Sequence, residues 1–242
     1  MVFILKKNEF YELEWDTNYF GISSYRINLY EKINNIDLIL EKTKKYDFIT
    51  IYNYKNNEIN NFELRKLNNC FLADVNVNFE KKVNLNEKSA IDEDVVIICN
   101  YDGSDEILNI AKESFKFSRF LNDKNLNKEK SLNIYLNWAK NSFHCKNKYF
   151  CLYKDKGFLL FNLLNNIATI ELIAVNNSST NEGIGTKLIN SLNSYCIKNN
   201  IEKIVVGTQL NNLVAQKFYL KNKFEVVQYN SIYHYWNKEN KI

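Results

Sequence analysis

The chain of 242 residues contains no proline, two histidines and three arginines. It has no CxxC pair and no apolar run near the ~20 residues of a membrane span. Each shortage excludes something. The missing proline goes with an excess of Asn, Lys and Ile, which gives a low-complexity look. With 14% aromatics and 45% hydrophobic residues, that look reads as AT-rich coding bias rather than disorder. The scarcity of histidine and the spacing of the five cysteines (70, 99, 145, 151, 196) leave no His/Cys/Asp cluster with metal-ligand geometry, so no metal is expected. The odd, unpaired cysteines read as free thiols in a reducing compartment. The N-terminal "MVFILKKNEFYELEW" has no basic region before its short apolar run and no cleavage site. The expectation is a cytoplasmic protein, not in a membrane. Lysines are scattered, with no basic block. A net charge of +4 suits an anionic small substrate better than a nucleic acid.

The pattern of elements changes once along the chain. Residues 1–92 read as a small α/β domain. "SSYRINLY" and "DFITIYNY" are strand-like, "INNIDLILEKTKKY" places Ile36, Ile39, Leu40 and Thr43 on one helical face, and "FLADVNVNFEKK" alternates like a half-buried strand. Polar "NLNEKSAIDED" follows as a linker. Residues 93–242 read β-α-α-β-β-β-α-β-α-β-β. Ser104 is the N-cap of the first helix, Lys128–Phe143 forms the second, and "FEVVQYN" with "SIYHYWN" forms a closing hairpin. The aromatic edge of that hairpin could pair with another subunit, giving a homodimer. The fold class is α/β (α+β).

The chemically suggestive stretch is "NEGIGTKL" (Asn181–Leu188), between strand-like "IATIELIAV" and helix-like "GTKLINSLNSYCIKNN". It lacks the GxxxxGK[ST] spacing of a P-loop. It also fails the GxGxxG fingerprint, because Leu188 occupies the third glycine position. Two readings remain, a plain tight turn or a helix N-terminus whose free amides bind a pyrophosphate.

In this order of elements the chain resembles the GNAT superfamily of N-acetyltransferases. Their pyrophosphate loop, [Q/R]-x-x-G-x-[G/A], corresponds to Thr180-Asn181-Glu182-Gly183-Ile184-Gly185, with Thr180 departing from the leading Gln or Arg. Their N-x-x-A-x-x-x-Y motif corresponds to Asn212, Ala215 and Tyr219, although the following Gly-Phe is Lys223-Phe224 here. The resemblance implies a GNAT fold over 95–242 with a mixed central sheet splayed between its fourth and fifth strands. It implies acyl-coenzyme A as co-substrate, held by Thr180, Asn181, Gly183, Ile184, Gly185 and Thr186 at the pyrophosphate. Backbone groups of Ile173 and Val175, with Asn212 opposite, would hold the pantetheine arm. Tyr219 would act as general acid towards the leaving thiolate, and would also touch the cofactor. Tyr219 could instead be one more core aromatic. Glu171, a strand carboxylate, is the candidate base, or else part of a rim salt bridge. His144 and His234 read as structural.

Three further stretches resemble the TDP-fucosamine acetyltransferases and their relatives, which acylate nucleotide-linked amino-dideoxysugars. They are "LEWDTNYFGISSYRINL", "SFKFSRFLNDKNLNKEKSLNIYLNWAKNSF" and "VGTQLNNLVAQKFY". This resemblance implies a dTDP-linked 3- or 4-amino sugar as acceptor, acetyl-CoA or 3-hydroxybutanoyl-CoA as donor, and a place in O-antigen or other surface-polysaccharide synthesis in a bacterium. The loop after the first helix of the GNAT fold faces the acceptor. There Arg119 offers a guanidinium fork to a diphosphate, Phe117 and Phe120 offer stacking faces, and Asp123 could accept a sugar hydroxyl. Trp15 and Phe20, in the stretch 15–21, would close the acceptor side or only pack the small N-terminal domain. Tyr135 and Trp138 share a helix face and either pave the pocket or belong to the core, the core reading being preferred. The rival readings are a GNAT enzyme acting on a protein or polyamine amine, and a CoA-binding module without catalysis.

Overall fold

The computed structural model describes residues 7–87 and 89–237. The start of the N-terminal segment discussed above, residues 1–6, lies outside them. In chain order the elements are β1 (Glu9–Glu12), α1 (Glu14–Phe20), β2 (Ser24–Leu29), α2 (Asp37–Thr43), β3 (Phe48–Asn53), α3 (Glu58–Leu64), β4 (Cys70–Lys82), β5 (Val95–Cys99), α4 (Asp105–Ser114), α5 (Lys128–Leu132), α6 (Ile134–Ser142), β6 (Lys148–Tyr153), β7 (Gly157–Leu164), β8 (Ile167–Val175), α7 (Ile184–Lys198), β9 (Lys203–Gln209), α8 (Leu213–Lys221) and β10 (Glu225–Trp236). The class is the expected mixed α/β.

The chain forms two compact units, each discontinuous in sequence. Of the described residues, the first comprises 7–77, 118–131 and 228–237, the second 78–87, 89–117 and 132–227. The sequence reading divided the chain into consecutive segments at 92/93. The units differ from that because β4 and β10 each run from one unit into the other and because the loop after α4 joins the first unit.

In the first unit the strands lie in the order β1-β2-β3-β10. β2 and β3 are parallel, and Ser231–Trp236 of β10 runs antiparallel to β3. One face carries Tyr25, Ile27, Leu29, Ile49, Ile51 and Tyr235, packed with Ile39, Leu64 and Leu67 into an apolar core. Each such aliphatic side chain contributes about 1.5–3 kcal/mol when fully buried. Two expectations are corrected here. α1 was not foreseen, because "EWDTNYF" has no apolar stripe long enough to register as a helix. The closing hairpin is one continuous strand, since Gln228–Ser231 contains no glycine or proline to turn the chain. The SIYHYW edge is already paired to β3, so the observation behind the homodimer expectation is gone.

In the second unit the order is β9-β8-β7-β6-β5, with β5 to β8 an antiparallel meander and β8–β9 parallel. α4 begins where Ser104 accepts a hydrogen bond from the Ile107 amide. Its residues Ile107, Ile110 and Ala111 pack with Ala139, Phe150, Phe158, Leu160 and Leu172. α7 buries Ile184, Leu188, Ile189, Leu192 and Cys196, the stripe its 3.6-residue period predicts. The helix expected over Lys128–Phe143 is interrupted at Asn133, which separates α5 from α6.

Candidate active site

The site begins with a local fault in the sheet. β8 pairs with β9 only from Ile167 to Ile170, opposite Lys203 to Val206. On its other side β8 pairs with β7 to its end, but the register shifts at Leu160/Phe161, whose partners are Leu172 and Ile170. Glu171 is therefore the extra residue of a β-bulge, and bulges bend and twist the strand that holds them. Beyond it, Leu172–Val175 and Gly207–Gln209 have no cross-strand partner in each other. The result is a cleft of about 500 Å³ lined from both strands, from residues 179–186 and from α8.

The glycine turn closes one end of this cleft. Gly183 sits at φ 79°, in the left-handed region, and α7 starts at the next residue. The first intrahelical bond runs from the Lys187 amide to the Gly183 carbonyl, so the amides of Ile184, Gly185 and Thr186 are free to meet an anion. A Cβ on Gly185 would lie 3.0 Å from the Phe218 ring, which explains glycine there. Thr180 donates its hydroxyl to the Asn177 carbonyl. Asn212 caps α8, its Oδ1 accepting from the Ala215 amide at 3.2 Å. Lys221 lines the same cleft.

Every residue expected to hold the cofactor lines this cleft: Ile173, Val175, Thr180, Asn181, Gly183, Ile184, Gly185, Thr186, Asn212 and Tyr219. Tyr219 is 4% exposed, with its ring among Phe79, Phe218 and Phe224. Burial pushes its hydroxyl pKa well above the ordinary phenol value, so it keeps its proton at neutral pH.

Glu171 also lines the cleft, but its carboxylate is engaged three times. Lys148 Nζ and Asn162 Nδ2 both reach Oε1, and Trp138 Nε1 donates to Oε2 at 3.0 Å. A carboxylate already accepting from a lysine, an amide and an indole is not free to turn towards an amine. Of the two readings of Glu171, this geometry is that of the ion pair. Tyr135 and Trp138 are not buried core residues, which corrects their preferred reading, although Tyr135 packs against the α4 core cluster. Tyr135 lines the cleft, stacked on Phe115 at 4.6 Å, and its hydroxyl donates to the Phe117 carbonyl and accepts from Gln209 Nε2. Trp138 is 41% exposed. Their spacing put them on one helix face, but only the cleft beside that face reveals their setting.

The residues expected to meet the acceptor fall mostly in the first unit. Phe20 and Phe120 are in ring contact at 5.3 Å. Trp15 stacks on Tyr19 at 4.8 Å, and the Tyr19 hydroxyl donates to the Lys130 carbonyl. The guanidinium of Arg119 lies 3.8 Å over the Phe120 ring. Asp16 is pushed up in pKa by burial, against the opposing charges of Arg119 and Arg26. The segments "WDTNYFG" and "SRFLND", about a hundred residues apart, are thus brought together. Asp123 is a correction. It is 3% exposed, with Oδ2 accepting from His234 Nδ1 at 2.7 Å and Trp236 Nε1 at 3.0 Å, and Oδ1 from the Asn125 amide. Both oxygens are engaged inside the unit, so Asp123 is the buried partner of His234 and Trp236 rather than the open loop carboxylate expected. Phe117 belongs to the second unit and is 40% exposed. His144 pairs with Asp102 at the surface. Among the described residues no group of three or more His, Cys, Asp or Glu could hold a metal, and no helix is long and apolar enough to cross a membrane.

The comparisons with known proteins fit this geometry. Asp105–Phe224 match the model of the acetyltransferase (GNAT) family. The fold resembles that of a GCN5-related N-acetyltransferase from Kribbella flavida, at TM-score 0.61 and 8% identity over 95% of this chain and 87% of that one. It also resembles a GCN5-related N-acetyltransferase from Sphaerobacter thermophilus, at TM-score 0.60 and 10% identity over 96% and 78%. A functionally unknown conserved protein from Staphylococcus epidermidis gives TM-score 0.55 and 12% identity over 89% and 85%. No curated protein matches by sequence. The fold is the GNAT fold, and residues 105–224 match the acetyltransferase (GNAT) family model.

Proposed function

We propose, from the GNAT fold and the match of residues 105–224 to the GNAT acetyltransferase family model, that the chain is an N-acyltransferase moving an acyl group from acyl-CoA to the amino group of a nucleotide-linked amino-dideoxysugar. The observation that carries the acyl-CoA half is the cleft itself, where a splayed strand edge, free amides at the start of α7 and a buried Tyr219 meet. The pyrophosphate would sit on the amides of Ile184–Thr186 and the pantetheine arm along Ile173–Val175. Lys221 is the cation lining the cleft, and it makes up for the Gln or Arg that Thr180 replaces.

The reaction is direct attack. A neutral amine adds to the thioester carbonyl, the tetrahedral adduct collapses with cleavage of the C–S bond, the thiolate takes the Tyr219 proton, and the proton lost from the adduct's nitrogen returns to the tyrosinate by way of solvent. The free values, about 10 for the phenol and about 8.5 for a thiol, look mismatched once burial raises the phenol. The same dry cleft also raises the thiolate's basicity, so the transfer stays close in energy. The amine reaches the carbonyl already neutral, its proton passed to solvent, since Glu171 is held by Lys148, Asn162 and Trp138.

The sugar half of the proposal rests on the resemblance of three stretches to the TDP-fucosamine acetyltransferases, supported by the meeting of "WDTNYFG" with "SRFLND". Arg119 would serve the diphosphate, and the place of the reaction would be surface-polysaccharide synthesis. The test is thiol release from acetyl-CoA and 3-hydroxybutanoyl-CoA against dTDP- and UDP-linked 3-amino and 4-amino-dideoxysugars, with product masses. One productive pair establishes the reading. Release with a protein or polyamine amine, and none with the sugars, replaces the acceptor and keeps the chemistry.

A further inference from the structure

The face of the first unit's sheet opposite its apolar core is buried but polar. Arg26, Thr50 and His234 are cross-strand partners on β2, β3 and β10, so their side chains form one row on one face. Thr50 and His234 are fully buried. Phe20, Phe48, Phe120 and Trp236 border the row. Asp16 of α1 and Arg119 of the loop after α4 belong to the same group electrostatically. Arg119 acts on both Asp16 and His234, and Arg26 and Arg119 both lie over the Tyr52 ring.

Four polar atoms of this group are buried with no hydrogen-bond partner: Asp16 Oδ2, Thr50 Oγ1, Arg119 Nη1 and His234 Nε2. Buried polar groups are paired in the great majority of cases, and here the orphans come from four different elements. Asp16 is itself 8% exposed. Their chemistry selects an occupant. His234 donates from Nδ1 to the Asp123 carboxylate, which leaves Nε2 as a bare acceptor. Arg119 only donates, the Asp16 carboxyl oxygen accepts, and Thr50 does both. A simple anion would face a carboxylate and a lone pair, while a simple cation would face a guanidinium. Hydroxyl groups, each both donor and acceptor, satisfy all four, and the bordering rings suit the C–H face of a saturated ring.

We propose that the polar face of β2, β3 and β10 binds a polyhydroxylated ring, a sugar, through Asp16, Thr50, Arg119 and His234. The choice of nucleotide rests on the acceptor reading above, but the orphan atoms do not. The test is calorimetric titration of the full chain with dTDP-glucose, which has hydroxyls but no amine to acylate, against dTDP alone. The expected result is at least tenfold tighter binding of dTDP-glucose. Thr50→Val and Asp16→Asn should each abolish that margin while leaving acetyl-CoA affinity unchanged. Thr50→Val should also raise Tm by about 2–4 °C, because a shape-matched methyl replaces an unpaired hydroxyl. No margin in the wild type, a margin intact in both variants, or a lowered Tm for Thr50→Val would overturn the proposal. The last outcome would mean that ordered water pairs the hydroxyl. Thiol release with an amino sugar is scored separately, so the acyl-transfer reading can survive the loss of this one.

Discussion

The cleft at the start of α7 and the polar face of β2, β3 and β10 offer hydrogen-bonding groups in opposite ways. The cleft offers backbone. Its amides belong to a helix end and to a strand edge left open by a bulge, and many of its side chains are small. The polar face offers side chains, held by a carboxylate–histidine–indole network inside the unit. A site built of backbone tolerates exchange of its side chains, as Thr180 in place of Gln or Arg illustrates. A site built of side chains depends on each of them. That contrast predicts how the two regions will respond to substitution.

The largest effect should come from the exception, the one cleft side chain to which the proposed reaction gives a chemical task. Tyr219→Phe should lower turnover by about 10² or more with acyl-CoA affinity kept, as steady-state kinetics beside a CoA titration would show. An unchanged rate would make Tyr219 a core aromatic. Next, Gly183→Val should raise KM for acyl-CoA about tenfold with little change in kcat. The β-branched residue cannot easily hold φ 79°, and the free amides lose their aim. An unaltered KM would mean that the turn does not position the pyrophosphate. Arg119→Ala should raise KM for the sugar nucleotide several-fold and leave that for acyl-CoA alone. Equal rises in both would place Arg119 in the scaffold.

A smaller effect is expected from Glu171→Gln, less than tenfold on kcat, with a stability loss on the order of 1–2 kcal/mol as the Lys148 charge loses its partner. A fall as large as that of Tyr219→Phe would return Glu171 to the role of base. The smallest effect is a pH dependence. Burial holds His234 down to about 4 from 6.5, so between those values the unfolded chain binds the extra proton. Stability should therefore fall as pH drops from 6.5 towards 4. Asp74, raised to about 6 by burial, works the other way over much of that range. The difference in Tm between wild type and His234→Asn isolates the histidine and should shrink as pH falls. A difference independent of pH would mean that His234 does not titrate in this window.

Much of the cleft was legible because its parts are local. Gly183, Gly185, Asn212 and Tyr219 lie within two short motifs, each bound to the start or face of one helix, and the apolar stripe of α7 follows from a single period. Glu171 was picked out as a strand carboxylate, but its three donors come from β6, β7 and α6 and leave no mark on the residues beside it. Tyr135 and Trp138 failed as core for the same reason, since helical spacing fixes a shared face and not what lies opposite. Asp123 looked available because a carboxylate in a loop usually is. Its partners are on β10, more than a hundred residues away.

The closing strand shows the division most plainly. Residue types alone determined that Glu225–Trp236 would be extended, because β-branched and aromatic residues fit a pleated surface. They also determined the order from β6 to α8 and the glycine-bounded helix end. Only the tertiary structure decided that the strand would not turn back, that its second half would pair with β3, and that His234 would stand in register with Thr50 and Arg26. Propensity and capping act over a few residues and can be read along the chain. Register and buried charge pairing join residues that only the fold brings within reach.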